Sequence, residues 1–300
     1  MKLNPLGRSG LEVSALSLGT MNFGADWHKI GAIDDRAASS LIDLALERGV
    51  NMIDTADIYG RGAAEEMLGR LLKKRRNRFL LATKVLGQMD LADSSTGGLS
   101  ARWITKALEG SLKRLKTDRV DLYMPHGWDF GVALEESLGA FEKAVKAGKV
   151  RVLGCSNFSG AQFAAAAGKF SFNQVQYSLV ARFAENDQSP QTPLLAWSPL
   201  AGGLLTGKGA TGRRADPGAF PYVAPERGAA VVAVLRRVAA LEGSSCAQAA
   251  LGWIMGKGFV ASSIVGARDA AQLGELLDSK ALTPRAAALL DRASEIALGL

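Results

Sequence analysis

The sequence predicts an α/β fold, a (β/α)8 TIM barrel that forms one domain over residues 1–300. Short apolar runs alternate with longer segments of helical period, a pattern typical of strands that helices follow. No glycine-rich fingerprint opens the first unit, which counts against a doubly wound nucleotide-binding sheet. The runs are apolar on both faces, as in buried parallel strands. They occupy residues 15–20, 51–56, 79–85, 119–126, 150–156, 174–178, 194–198 and 262–266.

Amphipathic segments between the runs predict the helices of the barrel. Segment 34–48 begins at Asp34 and segment 100–115 begins at Ser100, and both residues are suited to an N-cap. Segment 183–193 is short and rich in turn-forming residues. The sixth helix is therefore predicted to be shortened or absent, which would expose an apolar flank to a partner subunit.

The residues before the first run predict a β-hairpin. Leu11, Val13 and Ala15 alternate with polar residues, and Gly7 and Gly10 mark the turn before them. In a closed barrel this hairpin would close the bottom, the end opposite the active site.

Composition limits the classes of partner. The chain is 48% hydrophobic and 22% charged, so it can bury a large core, and its net charge is +7. The densest basic run, residues 73–78, is typical of a solvated helix end, so we expect no nucleic-acid partner. Two cysteines, no apolar leader and no membrane-length run predict a cytoplasmic protein without a membrane partner. A monomer and a homo-oligomer both remain open.

Polar side chains follow several strands where a barrel keeps its chemistry, at the carboxyl ends. Asp54, Lys84 and His126 each stand at the end of an apolar run, and Tyr59 follows Asp54 by five residues. Taken singly, these residues could be a structural ion pair, a core histidine and a loop aromatic. Together they bring an anion, a cation, an imidazole and a phenol to one rim, which favours a catalytic group because buried charges are costly unless they are paired.

The four residue types suit reduction of a carbonyl group. An ammonium beside Tyr59 is expected to lower the pKa of its phenol, and Asp54 would hold Lys84 charged and in place. Tyr59 could then donate a proton to a carbonyl oxygen while a nicotinamide supplies hydride to the carbon. Metal chemistry is not expected, because His28 and His126 are the only histidines and no acidic or cysteine cluster has ligand spacing.

At these residues the sequence resembles the aldo-keto reductases, in particular the bacterial members of the aryl-alcohol dehydrogenase-like branch. The similar motifs run through nearly the whole chain, at residues 6–14, 18–24, 53–60, 83–85, 121–126, 154–158 and 198–208. The resemblance implies that Asp54, Tyr59, Lys84 and His126 form a catalytic tetrad with Tyr59 as general acid. It also implies that NADPH lies across the rim of the barrel.

The resemblance further implies a set of cofactor-binding residues. They are Gly19, Thr20, Met21, Asp54, Ser156, Asn157, Gln176, Tyr177, Ser198, Leu200, Gly202, Lys208, Arg213, Arg214, Gly266, Arg268, Gln272 and Glu275. Ser156, Asn157 and Gln176 would hold the nicotinamide carboxamide, and Tyr177 would stack on its ring. Arg268 would meet the 2′-phosphate, which suits a guanidinium at a glycine-led turn into a helix.

Apolar residues in or beside the loops of the active end predict the substrate pocket. They are Met21, Phe23, Trp27, Val85, Trp128 and Phe130. Two residues depart from the family pattern. Leu276 replaces an asparagine expected against the adenine, and Pro125 precedes His126 although proline lacks the N–H that a strand uses.

The leading hypothesis is an NADPH-dependent reductase of small aldehydes or ketones. A regulatory protein of the same fold, which binds NADPH with little turnover, is the alternative. A third hypothesis makes Lys84 the nucleophile of an aldolase-like barrel, which would require an uncharged lysine.

Overall fold

The computed structural model describes residues 1–26, 31–208 and 224–300, and these form a nearly closed parallel barrel surrounded by helices. An antiparallel hairpin of β1 (Leu3–Pro5) and β2 (Glu12–Ser14) precedes the barrel. The barrel strands are β3 (Leu16–Gly19), β4 (Met52–Asp54), β5 (Leu80–Val85), β6 (Val120–Pro125), β7 (Val150–Leu153), β8 (Cys155–Ser156), β9 (Asn173–Gln176), β10 (Leu194–Trp197) and β11 (Val260–Val265). Their spatial order is β7-β6-β5-β4-β3-β11-β10-β9-β8.

The two ends of this sheet are halves of one strand, the fifth strand of the barrel, interrupted at Gly154. A Cβ atom on Gly154 would lie 2.2 Å from the ring of Phe172, so only glycine fits between that ring and the barrel wall. With β7 and β8 counted as one, the barrel has eight parallel strands, as the alternating pattern predicts; each of the eight is called a stave below.

Helices surround the barrel, and two of them begin where the capping residues predict. They are α1 (Asp35–Glu47), α2 (Ala63–Leu71), α3 (Ala101–Leu115), α4 (Leu134–Lys146), α5 (Gly160–Ala165), α6 (Phe183–Asp187), α7 (Pro225–Leu241), α8 (Cys246–Met255), α9 (Ala270–Leu277) and α10 (Pro284–Leu298). The Asp34 side chain accepts from Ala37 N at the start of α1, and Ser100 accepts from Trp103 N at the start of α3. Within the described ranges, no helix has the length and the apolar character that crossing a bilayer requires.

The predicted hairpin lies at the amino ends of the barrel strands. Asn4 Nδ2 donates to the carbonyl of Ala261 at 2.8 Å, near the start of β11, and Ser14 N donates to Asn51 Oδ1 at 2.7 Å, just before β4. Leu6 is fully buried in a cluster with residues from the barrel interior. The hairpin therefore closes the bottom, and the opposite rim stays open for a site.

The sixth unit carries the shortened helix that the sequence predicts. Its helix, α6, has five residues, and a charged cluster covers the same side of the barrel. The buried guanidinium of Arg182 pairs with Glu185 at 2.7 Å and donates to the backbone carbonyl of Asp291 at 3.2 Å. Asp291 Oδ1 in turn accepts from Trp253 Nε1 at 3.0 Å and from Lys257 Nζ at 2.7 Å. Trp253 of α8, Lys257 just after it and Asp291 of α10 thus form one cluster with Arg182 and Glu185 beside the short α6.

Replacing Gly154 with alanine is expected to destabilise the fold by about 1–3 kcal/mol, because the new methyl group would overlap the Phe172 ring. The measurement is the free energy of unfolding by denaturant. Gly139→Ala in α4 is the matched control, since a Cβ there meets nothing within 4 Å, and it should stabilise the fold by up to about 1 kcal/mol. Equal stability of the two variants would contradict this account of the interrupted strand.

Candidate active site

Three neighbouring strands bring the predicted catalytic group to one rim. Asp54 is the last residue of β4, Lys84 lies near the end of β5, and His126 follows the last residue of β6. Tyr59 begins a short 3-10 turn after β4, Tyr59–Gly62. Because β4, β5 and β6 are adjacent and parallel, their carboxyl ends meet at the same edge.

Hydrogen bonds connect these residues around the ammonium of Lys84. Lys84 Nζ lies 2.7 Å from Asp54 Oδ2, 2.8 Å from the carbonyl of Thr55 and 3.3 Å from Tyr59 Oη. The Lys84 side chain is fully buried, and its three N–H donors match these three acceptors. The rings of Tyr59 and His126 meet edge to face with centroids 5.8 Å apart.

A strained turn holds Tyr59 in place. Gly60, Arg61 and Gly62 follow it with φ angles of 54°, 51° and 97°, a left-handed run that costs a non-glycine residue about 1–2 kcal/mol. The Arg61 guanidinium donates to the carbonyls of Gln88 and Met89 at 3.1 and 3.2 Å. These bonds tie the tyrosine turn to the loop that follows β5.

The protonation states suit a proton donor supported by a cation. Burial by itself lowers the pKa of Lys84, but the Asp54 charge and the Tyr59 hydroxyl outweigh it, so the pKa of Lys84 lies above its ordinary value. Burial raises the pKa of Tyr59, and the Lys84 ammonium offsets only part of that rise. The expectation of a lowered tyrosine pKa is therefore wrong for this structure, because loss of water outweighs the nearby charge. Tyr59 is a protonated phenol at neutral pH.

His126 is neutral at physiological pH. Loss of water, together with the Lys84 charge, lowers the pKa of His126 to about 3. Its backbone N–H donates to the carbonyl of Val85 at 2.8 Å. Pro125, which lacks a backbone N–H, is the last residue of β6 and pairs with Val85. The hydrogen bond to β5 at this level comes from the N–H of His126 instead.

A cleft of about 930 Å³ opens over the tetrad and runs along the rim. Asp54, Tyr59 and His126 line one part of it. Residues that follow the other strands line the rest, and they are Gly19, Thr20, Met21, Asn22, Ser156, Asn157, Gln174, Trp197, Ser198, Pro199, Leu200, Gly202, Gly203, Thr206, Lys208, Ile264, Val265, Gly266, Ala267, Arg268 and Gln272, with Ile58 beside the tyrosine. A cleft of this size suits an extended organic cofactor with a small substrate.

Most of the predicted cofactor residues line this cleft. Glu275 lies beside it, with a carboxylate oxygen 4.0 Å from Lys208 Nζ. Arg213 and Arg214 lie outside the described residues. Leu276 is buried in the hydrophobic core and does not face the cleft.

Tyr177 requires a correction. Its ring is fully buried, stacked on Trp253 with centroids 5.4 Å apart, and its hydroxyl hydrogen-bonds Glu185. Tyr177 thus faces the outer helices, on the opposite side of the strand from Gln174. Trp197, at the end of β10, lines the cleft instead, and its Nε1 donates to Asn157 Oδ1 at 2.9 Å.

Gln176 requires a similar correction. Gln174, two residues earlier on β9, lines the cleft, whereas Gln176 does not. The Gln174 side chain is buried, and its Nε2 donates to Asp54 Oδ1 at 2.8 Å. The alternation of strand side chains places Gln174 and Gln176 on the same face of β9. The sequence therefore makes both glutamines candidates and does not show which of them lies at the level of the cleft.

The predicted pocket residues separate into several groups. Met21 lines the cleft, while Phe23 and Val85 are fully buried. Trp128 packs edge to face on Phe158 at 5.1 Å, and Phe130 is 90% exposed. Trp27 lies outside the described residues. Ile58 lines the cleft beside Tyr59, and the sequence interpretation missed it because a single apolar residue in a motif carries no signal of its own.

The sequence model of the aldo/keto reductase family matches residues 15–295, nearly the whole chain. The chain belongs to the aldo/keto reductase family. It is 36% identical to the uncharacterized oxidoreductase YrpG of Bacillus subtilis (strain 168), over 92% of this chain and 90% of that protein. It is also 30% identical to the aldo-keto reductase AMT2 of Alternaria alternata, over 92% of this chain and 86% of that protein.

Two solved structures of aldo-keto reductases share the fold. The holo form of AKR11C1 from Bacillus halodurans has a TM-score of 0.80 at 26% identity and covers 98% of this chain and 96% of its own. Thermostable Tm1743, solved with the inhibitor epalrestat, has a TM-score of 0.78 at 29% identity, with coverage of 98% and 100%. The predicted barrel is confirmed, and the family and these names support an oxidoreductase.

Two buried acidic side chains lie behind the tyrosine turn of this family member. Asp57 and Glu65 are both fully buried. Glu65 accepts from Thr83 Oγ1 at 2.6 Å and from Arg114 Nε at 2.7 Å, so its charge is compensated. Burial, and then the Glu65 charge, raise the pKa of Asp57 well above its ordinary range. Asp57 therefore binds a proton more tightly in the folded chain than in the unfolded one.

Asp57→Asn is expected to raise the melting temperature at neutral pH. An acid whose folded pKa is raised makes the fold less stable as the pH rises above its unfolded pKa of about 3.9, and asparagine removes that loss. The gain should shrink as the pH falls toward about 4 and vanish below it, where Asp57 is protonated in both states. Thermal unfolding across this range is the measurement. The exposed Asp118→Asn is the control, and a gain at Asp57 that did not vary with pH would contradict the raised pKa.

Proposed function

We propose that the chain is an NADPH-dependent reductase that converts aldehydes or ketones into alcohols. The observation that carries the proposal is the chain of contacts from Asp54 through the buried Lys84 to Tyr59. Tyr59 and His126 line the long cleft at the end of this chain. An ion pair of this kind, 2.7 Å long and with its lysine fully buried, supports a phenol that faces the cleft.

Tyr59 acts as the general acid. It gives its proton to the carbonyl oxygen of the substrate as negative charge develops there. The Lys84 ammonium, 3.3 Å from the phenol oxygen, stabilises the phenolate that remains. Asp54 keeps that ammonium charged and in place, and the neutral imidazole of His126 donates a hydrogen bond to the same carbonyl oxygen.

The cleft residues fit a dinucleotide phosphate. When bound, NADPH supplies hydride to the carbonyl carbon. Ser156, Asn157 and Gln174 hold the carboxamide end, and Trp197 takes the stacking role first assigned to Tyr177. Ser198, Leu200, Gly202 and Lys208 line the pyrophosphate. Gly19, Thr20, Met21 and Gly266 border the cleft between them, and Gln272 and Glu275 lie near the adenosine.

Arg268 is the residue proposed to select NADPH. It is exposed at the turn from β11 into α9, and its backbone N–H donates to Gln272 Oε1 at 2.9 Å. Among the described residues, no carboxylate forms an ion pair with this guanidinium, which can meet a phosphate with two parallel hydrogen bonds.

The substrates are small carbonyl compounds. Met21, Ile58 and Trp197 line the cleft in addition to Asp54, Tyr59 and His126, so the surface offered to a substrate is apolar and aromatic. We therefore propose aromatic and short aliphatic aldehydes as the first substrates to test.

The protonation of Lys84 argues against the aldolase-like alternative. A lysine that forms a Schiff base must lose its proton to attack, which requires a lowered pKa. The pKa of Lys84 is raised, because Asp54 and Tyr59 outweigh the effect of burial. All three N–H groups of Lys84 are also used in hydrogen bonds within the protein, so none of them points toward a substrate.

Tyr59→Phe should lower the rate of NADPH-dependent reduction by at least about 100-fold, because no other group replaces the general acid. NADPH affinity should change little, as judged by fluorescence titration. Tyr123→Phe is the matched control, since Tyr123 is a buried tyrosine outside the cleft lining.

Two outcomes would contradict the proposal. Undiminished turnover by the Tyr59 variant would remove Tyr59 as the acid. A parent chain that binds NADPH yet reduces none of a broad panel of aldehydes and ketones would favour a regulatory protein of the same fold.

Arg268→Met should weaken NADPH binding by about 10- to 100-fold and leave NADH binding nearly unchanged, because only NADPH carries the 2′-phosphate. Paired titrations with the two nucleotides measure the effect. Arg285→Met on the exposed side of α10 controls for the loss of one positive charge. An equal loss for both nucleotides would show that Arg268 contacts another part of the cofactor.

A further inference from the structure

A hydrogen bond crosses the interior of the barrel to reach the tetrad. Gln174 Nε2 on β9 donates to Asp54 Oδ1 on β4 at 2.8 Å, between residues 120 positions apart. In the sheet, β4 and β9 are separated by β3, β11 and β10, so the contact spans the lumen and is not a neighbour contact along the wall. Both side chains are buried, with Gln174 and Asp54 each 2% exposed.

The two oxygens of Asp54 thereby have different partners. Oδ2 faces Lys84 Nζ at 2.7 Å, and Oδ1 faces Gln174 Nε2 at 2.8 Å. A carboxylate held at both oxygens cannot rotate about its Cβ–Cγ bond without breaking one of these contacts. Since the pair is buried, water does not replace a lost bond cheaply, and an unsatisfied charged group costs more than a neutral one.

The backbone of Gln174 is tied to the neighbouring stave at the same level. Its carbonyl accepts from Ser156 Oγ at 3.0 Å and from Asn157 N at 2.9 Å. Asn157 in turn donates through Nδ2 to the carbonyl of His126 at 2.9 Å. Gln174 is thus held by one side of the rim while its amide reaches the opposite side.

We propose that Gln174 is a positioning residue for the proton donor: it fixes the Asp54 carboxylate so that the Lys84 ammonium stays directed at the Tyr59 hydroxyl. This inference rests on the proposed reductase function for its kinetic consequences. The chain of contacts runs from Gln174 through Asp54 and Lys84 to Tyr59, with distances of 2.8, 2.7 and 3.3 Å. Gln174 touches no reacting atom in this role and acts through its effect on the lysine.

The primary test is Gln174→Met, which keeps the length of the side chain and removes the donor. The turnover number kcat should fall about tenfold, while KM for the aldehyde changes little. The matched control is Gln188→Met, because Gln188 is also a buried glutamine but donates to the carbonyl of Phe158, outside the cleft lining.

A second readout needs no turnover. The chain has four tyrosines, so the ultraviolet titration of the cofactor-free protein, minus that of its Tyr59→Phe counterpart, reports the phenol of Tyr59. The Lys84 charge favours the phenolate, so a less well-directed ammonium in Gln174→Met should move the Tyr59 titration to higher pH. Gln188→Met should leave the titration where it is in the parent chain.

Gln174→Glu provides a rescue that a purely structural role would not produce. A glutamate at this position repels Asp54 when ionised, but when protonated it can donate an O–H to Asp54 Oδ1. The kcat of this variant should therefore recover toward the parent value as the pH falls, whereas Gln174→Met should show no such recovery.

Three results would overturn the inference. An unmoved Tyr59 titration in Gln174→Met, with weaker NADPH binding alone, would limit Gln174 to its proposed role at the cofactor carboxamide and exclude an effect on the proton donor. Equal losses of kcat and melting temperature in Gln174→Met and Gln188→Met would assign it to fold stability. Absence of low-pH recovery in a folded Gln174→Glu variant would also count against it. If the parent chain reduces no carbonyl compound, the proposed function fails, yet the titration still decides the role of Gln174.

Discussion

The structure depends on keeping an ammonium and a carboxylate together inside the mouth of a barrel. Removing two charges from water costs several kcal/mol for each ion, and their attraction repays this cost only when every remaining donor and acceptor is bonded. Lys84 meets that condition with three acceptors, and Asp54 meets it through Lys84 and Gln174. The staves that carry these residues must therefore keep their register, because a slip of one residue would turn a charged side chain out of the barrel and into the packed outer core.

Local signals in the sequence suffice for the elements and for the residues of the proposed catalytic group. Asp34 and Ser100 cap helices because a side-chain oxygen accepts an N–H three residues ahead, a property of the residue and its neighbours alone. The apolar runs predict the staves, and a charge at the end of a run predicts the rim. Asp54 and Lys84 are found in this way because burying a charge beside an apolar strand costs free energy unless the charge is paired.

Long-range properties account for what the sequence does not reveal. Gln174 and Gln176 share a face of β9, and only the assembled barrel decides which of them reaches Asp54. Tyr177 lies one residue further and so faces Trp253, whereas Trp197 on the next stave faces the cleft. The pKa of Tyr59 shows the same limit: a nearby ammonium is visible in the motif, but the extent of burial that outweighs it is a property of the folded chain.

The charged cluster over the sixth stave has a consequence for how the chain comes into being. During synthesis Arg182 and the five residues of α6 leave the ribosome well before Asp291, which follows Arg182 by 109 residues. Glu185 can pair with the guanidinium as soon as α6 has been made. This side of the barrel is covered only after α10 has been synthesised. The nascent chain therefore lacks part of this barrel side while the residues between α6 and α10 are synthesised, and this flank is where chaperones would find exposed surface until α10 docks.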